Sequence, residues 1–138
     1  MRRIFIIIDK AFLDANVVIY LNVGEEKVIR FFKDLLMKKV KLYTNVLVLD
    51  EGIYISKKKY GIKYEDTINF LDSIILTYVN VLNIGPNEYR IAKRYMNILK
   101  PSDALHVATM LSNHITTIIS EDRDFDKIDS IKRVWVQD

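Results

Sequence analysis

"RIFIIIDKAFLDANVVIYL", residues 3–21, begins with β-branched and apolar side chains, reaches Asp14 and continues through "ANVVIYL". The first part has the composition of a buried strand ending near Asp14, and the second reads as a short helix. The chain then repeats this alternation. In "EEKVIRFFKDLLMKK" the spacing of Val28, Phe31, Phe32, Leu35 and Leu36 is helical. "VKLYT" reads as a strand, and "NVLVLDEGIYISKKK" as a largely buried helix with a basic end. "KYEDTINFLDSIILTY" is expected to form one further helix, followed by the strand "VNVLNI". "PNEYRIAKRYMNIL" reads as an amphipathic helix opened by Pro86. "LKPSDALHVATM", residues 99–110, reads as a proline-marked turn, a serine cap and an apolar helix. The strand "ITTIIS", an acidic loop and a last strand "KRVWVQ" complete the order. Short apolar strands alternating with helices imply an α/β fold with a mainly parallel sheet.

Bulk properties narrow the function. The chain has 138 residues, of which 50% are hydrophobic and 28% charged, the balance of one globular domain, 1–138. It contains no cysteine, which removes disulfides, thiol nucleophiles and cysteine-held zinc. No run of eighteen apolar residues occurs, and the apolar run in "MRRIFIIIDK" is too short for a signal peptide, so a cytoplasmic location is expected. A net charge of +3 and a pI near 9.0 admit a polyanionic partner without demanding one.

The chemistry lies in the acids. In an open parallel sheet, ligands bind beyond the carboxyl ends of the strands. "AFLDAN" puts Asp14 at such an end with Asn16 beside it, and "TTIISEDRDFD" puts Asp122 there, followed by Asp124 and Asp126. Glu51 has Leu47, Val48, Tyr54 and Ile55 as helical neighbours, so its carboxylate leaves an apolar face. Asp50 lies on an equally apolar face, and periodicity does not choose between the two. Asp103 stands in the first turn of its helix, where an acid can simply complement the helix dipole. Gathered in one cleft, Asp14, Glu51, Asp103 and Asp122 would repel one another unless a cation held them together. Mg²⁺ or Mn²⁺ suits such oxygen ligands. A pair of these ions about 4 Å apart can activate water and stabilise the leaving oxygen of a phosphodiester.

The ordered segments "FLDANVVIYL", "TNVLVLDEGIYI", "PSDALHVATM" and "IISEDRDFDKI" resemble those of PIN domains, in particular the VapC-type toxins of toxin–antitoxin pairs. The resemblance runs from Phe12 to Ile128. It aligns the family's four acids with Asp14, Glu51, Asp103 and Asp122, and thereby selects Glu51 over Asp50. Asn16 matches a polar residue two after the first acid, Ser120 replaces the usual threonine, and Asp124 matches a common extra acid. The resemblance implies a three-layer α/β/α fold with a five-stranded, mainly parallel sheet. It also implies Mg²⁺-dependent endoribonuclease activity with Mn²⁺ able to substitute, a homodimer, and neutralisation by a small antitoxin. One departure is the "MRRIFIIIDK" start, which either lengthens the first strand or adds an element over residues 4–8, leaving Asp9 as a surface acid.

His106 is expected to be a packed or hydrogen-bonded histidine rather than a catalytic one. The lysines 57–59 read mainly as a solvated helix end, and the frequent Tyr and Phe as core and dimer packing. A PIN nuclease of RNA maturation or structure-specific DNA cleavage is an alternative that no residue excludes. A receiver-like signalling domain needs a phosphoacceptor Asp after a central strand, and "VNVLNI" ends without one. An inactive, purely binding version of the fold sits poorly with four acids. The apolar surround of the 101–112 helix, with "EYRIAKRYMNIL" nearby, is expected to supply the dimer contact.

Overall fold

The computed structural model describes residues 8–136 of the chain. Its first strand, β1 (Lys10–Leu13), is followed by α1 (Ala15–Val23), α2 (Glu26–Met37), β2 (Lys41–Asn45) and α3 (Val46–Tyr60). Next come α4 (Tyr64–Phe70), a π-helical turn (Leu71–Ile75), α5 (Leu76–Tyr78), β3 (Val79–Leu82) and α6 (Pro86–Ala92). The chain ends with α7 (Pro101–Ser112), β4 (Thr117–Ile119), a 3₁₀ segment (Arg123–Lys127) and β5 (Lys132–Val134).

The five strands form one parallel sheet in the order β3-β2-β1-β4-β5. Phe12 of β1 stands in register with Tyr43 on one side and Ile118 on the other. Parallel strands buried on both faces need apolar residues at every position, and Ala11, Phe12 and Leu13 are all fully buried. Helices cover both faces: α1 packs on α3 and α3 on α4, while α6 packs on α7. This three-layer arrangement follows from right-handed crossovers that run outward from β1 to β3 and then return across the opposite face to β4. The chain therefore reverses its direction of travel between β1 and β4, and the crevice at their carboxyl ends is the topological switch point.

Local chemistry fixes the element ends. The Asp14 side chain caps α1, accepting from the Ala15 N–H at 2.8 Å. Asn45 caps α3 by accepting from the Val48 N–H at 3.1 Å. Gly61 ends α3 at φ 72°, a left-handed conformation that costs glycine nothing. Gly52 answers a different need, because a Cβ there would stand 3.3 Å from Cγ1 of Val18, so its bareness sets the distance between α3 and α1.

Several expectations are corrected. β1 starts at Lys10, and Ile8 and Asp9 precede it outside any strand, with Asp9 exposed. The added element proposed over residues 4–8 lies, apart from Ile8, outside the described residues. α3 is not largely buried: only Val48, Gly52 and Ser56 are, because it is covered along α1 and α4 and its outer side and basic end meet solvent. The helix expected over 63–78 is interrupted by the π-helical turn, and that over 86–99 stops at Ala92 and passes through a 3₁₀ turn at Lys93–Tyr95. The Tyr95 carbonyl then accepts from the N–H groups of both Ile98 and Leu99, folding the chain back before Pro101. Ser102 does not cap α7. Lys100 occupies that position without a side-chain hydrogen bond, and Pro101 is the first helical residue. The last strand ends at Val134, so the expected Trp135–Val136 extension is not part of it, and Gln137 lies outside the described residues.

Candidate functional site

β1 delivers Asp14 to the switch point, where it is 5% exposed. Its two oxygens are held separately. Oδ1 accepts from the Ala15 N–H, while Oδ2 accepts from the Ser120 hydroxyl at 2.6 Å and from Asn16 Nδ2 at 3.4 Å. Asn16 also donates to Ser120 Oγ at 3.2 Å and accepts from the Glu121 N–H at 3.3 Å. Ser120 Oγ in turn accepts from the Asp122 N–H at 3.0 Å. Asn16 and Ser120 therefore pin the loop after β4 against the end of β1. From below, Arg133 Nη1 donates to the Ser120 carbonyl at 3.1 Å.

α7 brings Asp103 to the same place, 4% exposed, and one of its oxygens, Oδ2, has no hydrogen-bond partner. Burial, then the charge of Asp14 and more weakly those of Asp122 and Glu51, push the Asp103 carboxyl up to about 7, against the opposing pull of Lys100. Glu51 is raised by the same pattern: burial first, then Asp14, with Asp50 and Asp122 adding to it. The four acids thus act on one another across one crevice. Asp50 is exposed and Glu51 half-buried, so α3 itself separates the two acids that periodicity could not. Asp122 caps the 3₁₀ segment, accepting from the Asp124 N–H at 2.9 Å. Asp124 points elsewhere, into a surface ion pair with Lys127 at 3.2 Å.

His106 is packed and hydrogen-bonded, as its context in the sequence led one to expect, yet it also belongs to the crevice. Ligand atoms of Asp14, Asp103 and His106 lie within 4.8 Å of one another. The tautomer follows from its neighbour. Asn45 Oδ1 is committed to the Val48 N–H, so Nδ2 is the atom that faces His106 Nδ1 at 3.0 Å, and an amide nitrogen can only donate. Nδ1 is therefore the acceptor and neutral His106 carries its proton on Nε2, which stands 3.9 Å from Asp14 Oδ1. Burial holds the ring neutral by lowering its pKa, an effect the Asp14 charge opposes. Asn45 Nδ2 also donates to Thr109 Oγ1 at 3.1 Å, tying β2 to the middle of α7.

Asn45 and Lys100 are site residues that sequence reasoning missed. Asn45 reads as an ordinary helix cap. Lys100 did leave a signal, because a cation just before a helix opposes the dipole there and needs another reason to be present.

The donor set suits a hard divalent cation. It is dominated by carboxylate oxygens, one of them buried and without a partner, and its only imidazole has its facing nitrogen protonated. Known proteins share both the fold and its extent. Ribonuclease VapC2 of Methanocaldococcus jannaschii is 26% identical over 149 residues, covering 99% of this chain and 100% of its own. The Mycobacterium tuberculosis VapC20 structure, a toxin that cleaves the sarcin–ricin loop, superposes with a TM-score of 0.69 at 18% identity, covering 86% of this chain and 95% of that one. A toxin–antitoxin complex from Klebsiella pneumoniae contains a chain of TM-score 0.66 and 18% identity, covering 88% and 94%. The sheet and its helices match these solved structures in fold, residues 11–131 match the PIN domain family, and the chain belongs to that family.

Proposed function

We propose that the chain, as a single domain over 1–138, is a divalent-metal-dependent endoribonuclease and the toxin of a VapBC-type pair. The observation that carries this reading is the buried Asp103 oxygen without a partner, with Asp14 beside it and the charges of Asp122 and Glu51 acting on it. Leaving such an oxygen unsatisfied is costly unless a cation meets it. Asp14, Glu51, Asp103 and Asp122 would hold the ion, Mg²⁺ with Mn²⁺ able to substitute. When bound, it supplies Lewis acidity toward a phosphodiester and a water acidic enough to attack it.

The chain's own residues prepare that chemistry. Ser120 and Asn16 hold Asp14 Oδ2 in a fixed orientation. The Asn45–His106 pair presents an N–H, not a lone pair, toward Asp14. Lys100 limits the charge that Asp103 and Glu51 must bear together. Asp124, paired with Lys127, is assigned no direct part.

A small antitoxin partner is supported by relatives whose structures are toxin–antitoxin complexes. It is also supported by an apolar groove of ≈ 330 Å³ lined by Phe32, Leu36, Phe70 and Tyr78, among others. A homodimer belongs to the same reading, and of its expected surface Tyr89 and Ile98 are exposed while the inward residues of α7 are taken up by the core. Ala104, Val107 and Ala108 of α7 are fully buried within one protomer. The apolar rim of Val46, Val81, Leu82 and Leu105 remains for self-association. No helix among the described residues is long and apolar enough to cross a membrane, and the proposed toxin would act in the cytoplasm.

The deciding experiment incubates purified protein with a single-stranded RNA. Cleavage is expected in Mg²⁺ or Mn²⁺, none in EDTA, and none from Asp14→Asn. Undiminished cleavage in EDTA would overturn the reading.

A further inference from the structure

A cleft of ≈ 160 Å³ begins beside the acid crevice and runs away from it between α1 and α3. Asn16, whose side chain touches Asp14 and Ser120, belongs to both. On α1, Ile19 and Tyr20 follow Asn16 at helical spacing and continue one wall. The other wall is α3, on which Glu51, Ile55 and Lys59 share a face at i, i+4 and i+8. Eight residues at 1.5 Å each carry Lys59 about 12 Å from the level of Glu51. Tyr60, 39% exposed, completes that end.

The lining has a division of labour. Lys59 offers a cation, its ammonium 5.8 Å from the centroid of the Tyr60 ring, and its neighbours Lys57 and Lys58, over the rings of Tyr64 and Tyr54, make this end of α3 strongly positive. Tyr60 offers a partly exposed aromatic ring beside that ammonium, so that cation and ring form one platform. Glu121, at the mouth, offers a carboxylate. One of its oxygens is engaged by the Tyr20 hydroxyl at 2.6 Å, a bond that with burial pushes the Tyr20 pKa up to about 12 and keeps it a donor. The other oxygen is left to accept. A cation for a phosphate, a ring for stacking and an acceptor for an amino group are the three elements of nucleotide recognition, in a space of base-like size.

We propose that this cleft is the subsite for a nucleotide flanking the scissile phosphate of single-stranded RNA. Lys59 would meet the backbone, Tyr60 would stack on the base, and Glu121 would select bases with an exocyclic amine over uracil. Uracil has no exocyclic amine, and its one pairing-edge donor, N3–H, is flanked by two carbonyl oxygens that a carboxylate repels. This proposal rests on the RNA-cleaving function above, and its test is kept separate from cleavage.

Fluorescence anisotropy in EDTA, with 5′-labelled oligo(A), oligo(C) and oligo(U) RNA, reads binding without turnover. Wild type is expected to bind oligo(A) and oligo(C) several-fold more tightly than oligo(U). Tyr60→Ala should weaken oligo(A) and oligo(C) about 10-fold, the scale of one lost stack. Lys59→Ala should weaken all three alike and reduce the salt slope by about 0.7. Glu121→Gln should erase the preference without lowering affinity for oligo(U). Equal binding of the three oligonucleotides by wild type, or unchanged binding by Tyr60→Ala and Lys59→Ala, would overturn the subsite. Parallel cleavage assays in Mg²⁺ separate the two readings. Normal cleavage with unchanged binding removes the subsite alone, whereas the expected binding pattern without cleavage removes the nuclease.

Discussion

Asp103→Asn should make the metal-free protein more stable at pH 8 and nearly leave it alone at pH 5. The native carboxyl sits at about 7 against 3.8 for the free side chain. At about 1.4 kcal/mol per pKa unit, holding Asp103 ionised at pH 8 costs the folded state at most about 4 kcal/mol. The sign follows from proton binding. Between the two values the folded state holds more protons than the unfolded one, so stability from this group falls as pH rises from about 4 to about 7. Asparagine removes that loss, but its N–H₂ must find acceptors, of which Asp14 is the nearest to hand, so a net gain of about 1–3 kcal/mol is expected. For a chain of this size, that corresponds to a Tm increase of about 4–10 °C. Thermal melts of both proteins in EDTA at pH 5 and pH 8 measure it. A variant no more stable than wild type at pH 8, or one equally stabilised at both pH values, would refute the account of Asp103 as a strained, uncompensated acid. Added Mg²⁺ should then stabilise wild type by more than the variant, since only wild type keeps the full ligand set.

Asn45→Ala strips partners from His106, Thr109 and the start of α3 at once, and chemical denaturation should show a loss of about 2–4 kcal/mol. Asn45→Asp keeps the cap but places an acceptor against His106 Nδ1. NMR of the imidazole nitrogens should therefore report the proton moved from Nε2 to Nδ1. Gly52→Val forces bulk against Val18, so a destabilisation of about 1–3 kcal/mol and reduced cleavage through displaced Glu51 are expected, read from melts and turnover together. Sedimentation at micromolar concentration should give a dimer mass for wild type and a monomer mass for Val46→Lys at the exposed apolar rim. A monomer throughout would end the dimer proposal while leaving the nuclease one standing.

The alternation of apolar runs and helical spacing was enough to recover the order of the strands, because parallel strands covered on both faces cannot hide their composition. Boundaries were less readable. The helix opened by Pro86 tightens into a 3₁₀ turn after Ala92, and the Tyr95 carbonyl closes the following turn through the N–H groups of Ile98 and Leu99, with no glycine or proline at the break to announce it. The burial of α3 was overestimated because periodicity counts apolar residues without knowing how much of the helix its neighbours cover, and only Val48, Gly52 and Ser56 are buried. In the crevice, Asp14 and Asp122 were legible from strand ends, and Glu51 against Asp50 only through family resemblance. His106 was read correctly as hydrogen-bonded, but its place beside Asp14 depends on Asn45, sixty-one residues earlier in the chain. The ion pair of Asp124 with Lys127 is a feature of the same loop that the acidic run did not announce.

Two acids of the crevice stand at the beginnings of α-helices: Asp14 caps α1 and Asp103 lies in the first turn of α7. Each helix therefore aims its electropositive end at the place where the carboxylates gather. While the carboxylates are ionised they mask that field, and the crevice repels phosphate. Once they are neutralised, by a cation or by amide substitution, the underlying sign emerges and backbone N–H groups face the opening. The two helix ends beneath the acids favour negative charge, and the ionised acids offset them. An asparagine-substituted, catalytically silent form should consequently grip an RNA strand more firmly than the native protein does without metal, which makes it the better bait for capturing whatever RNA the native chain cuts.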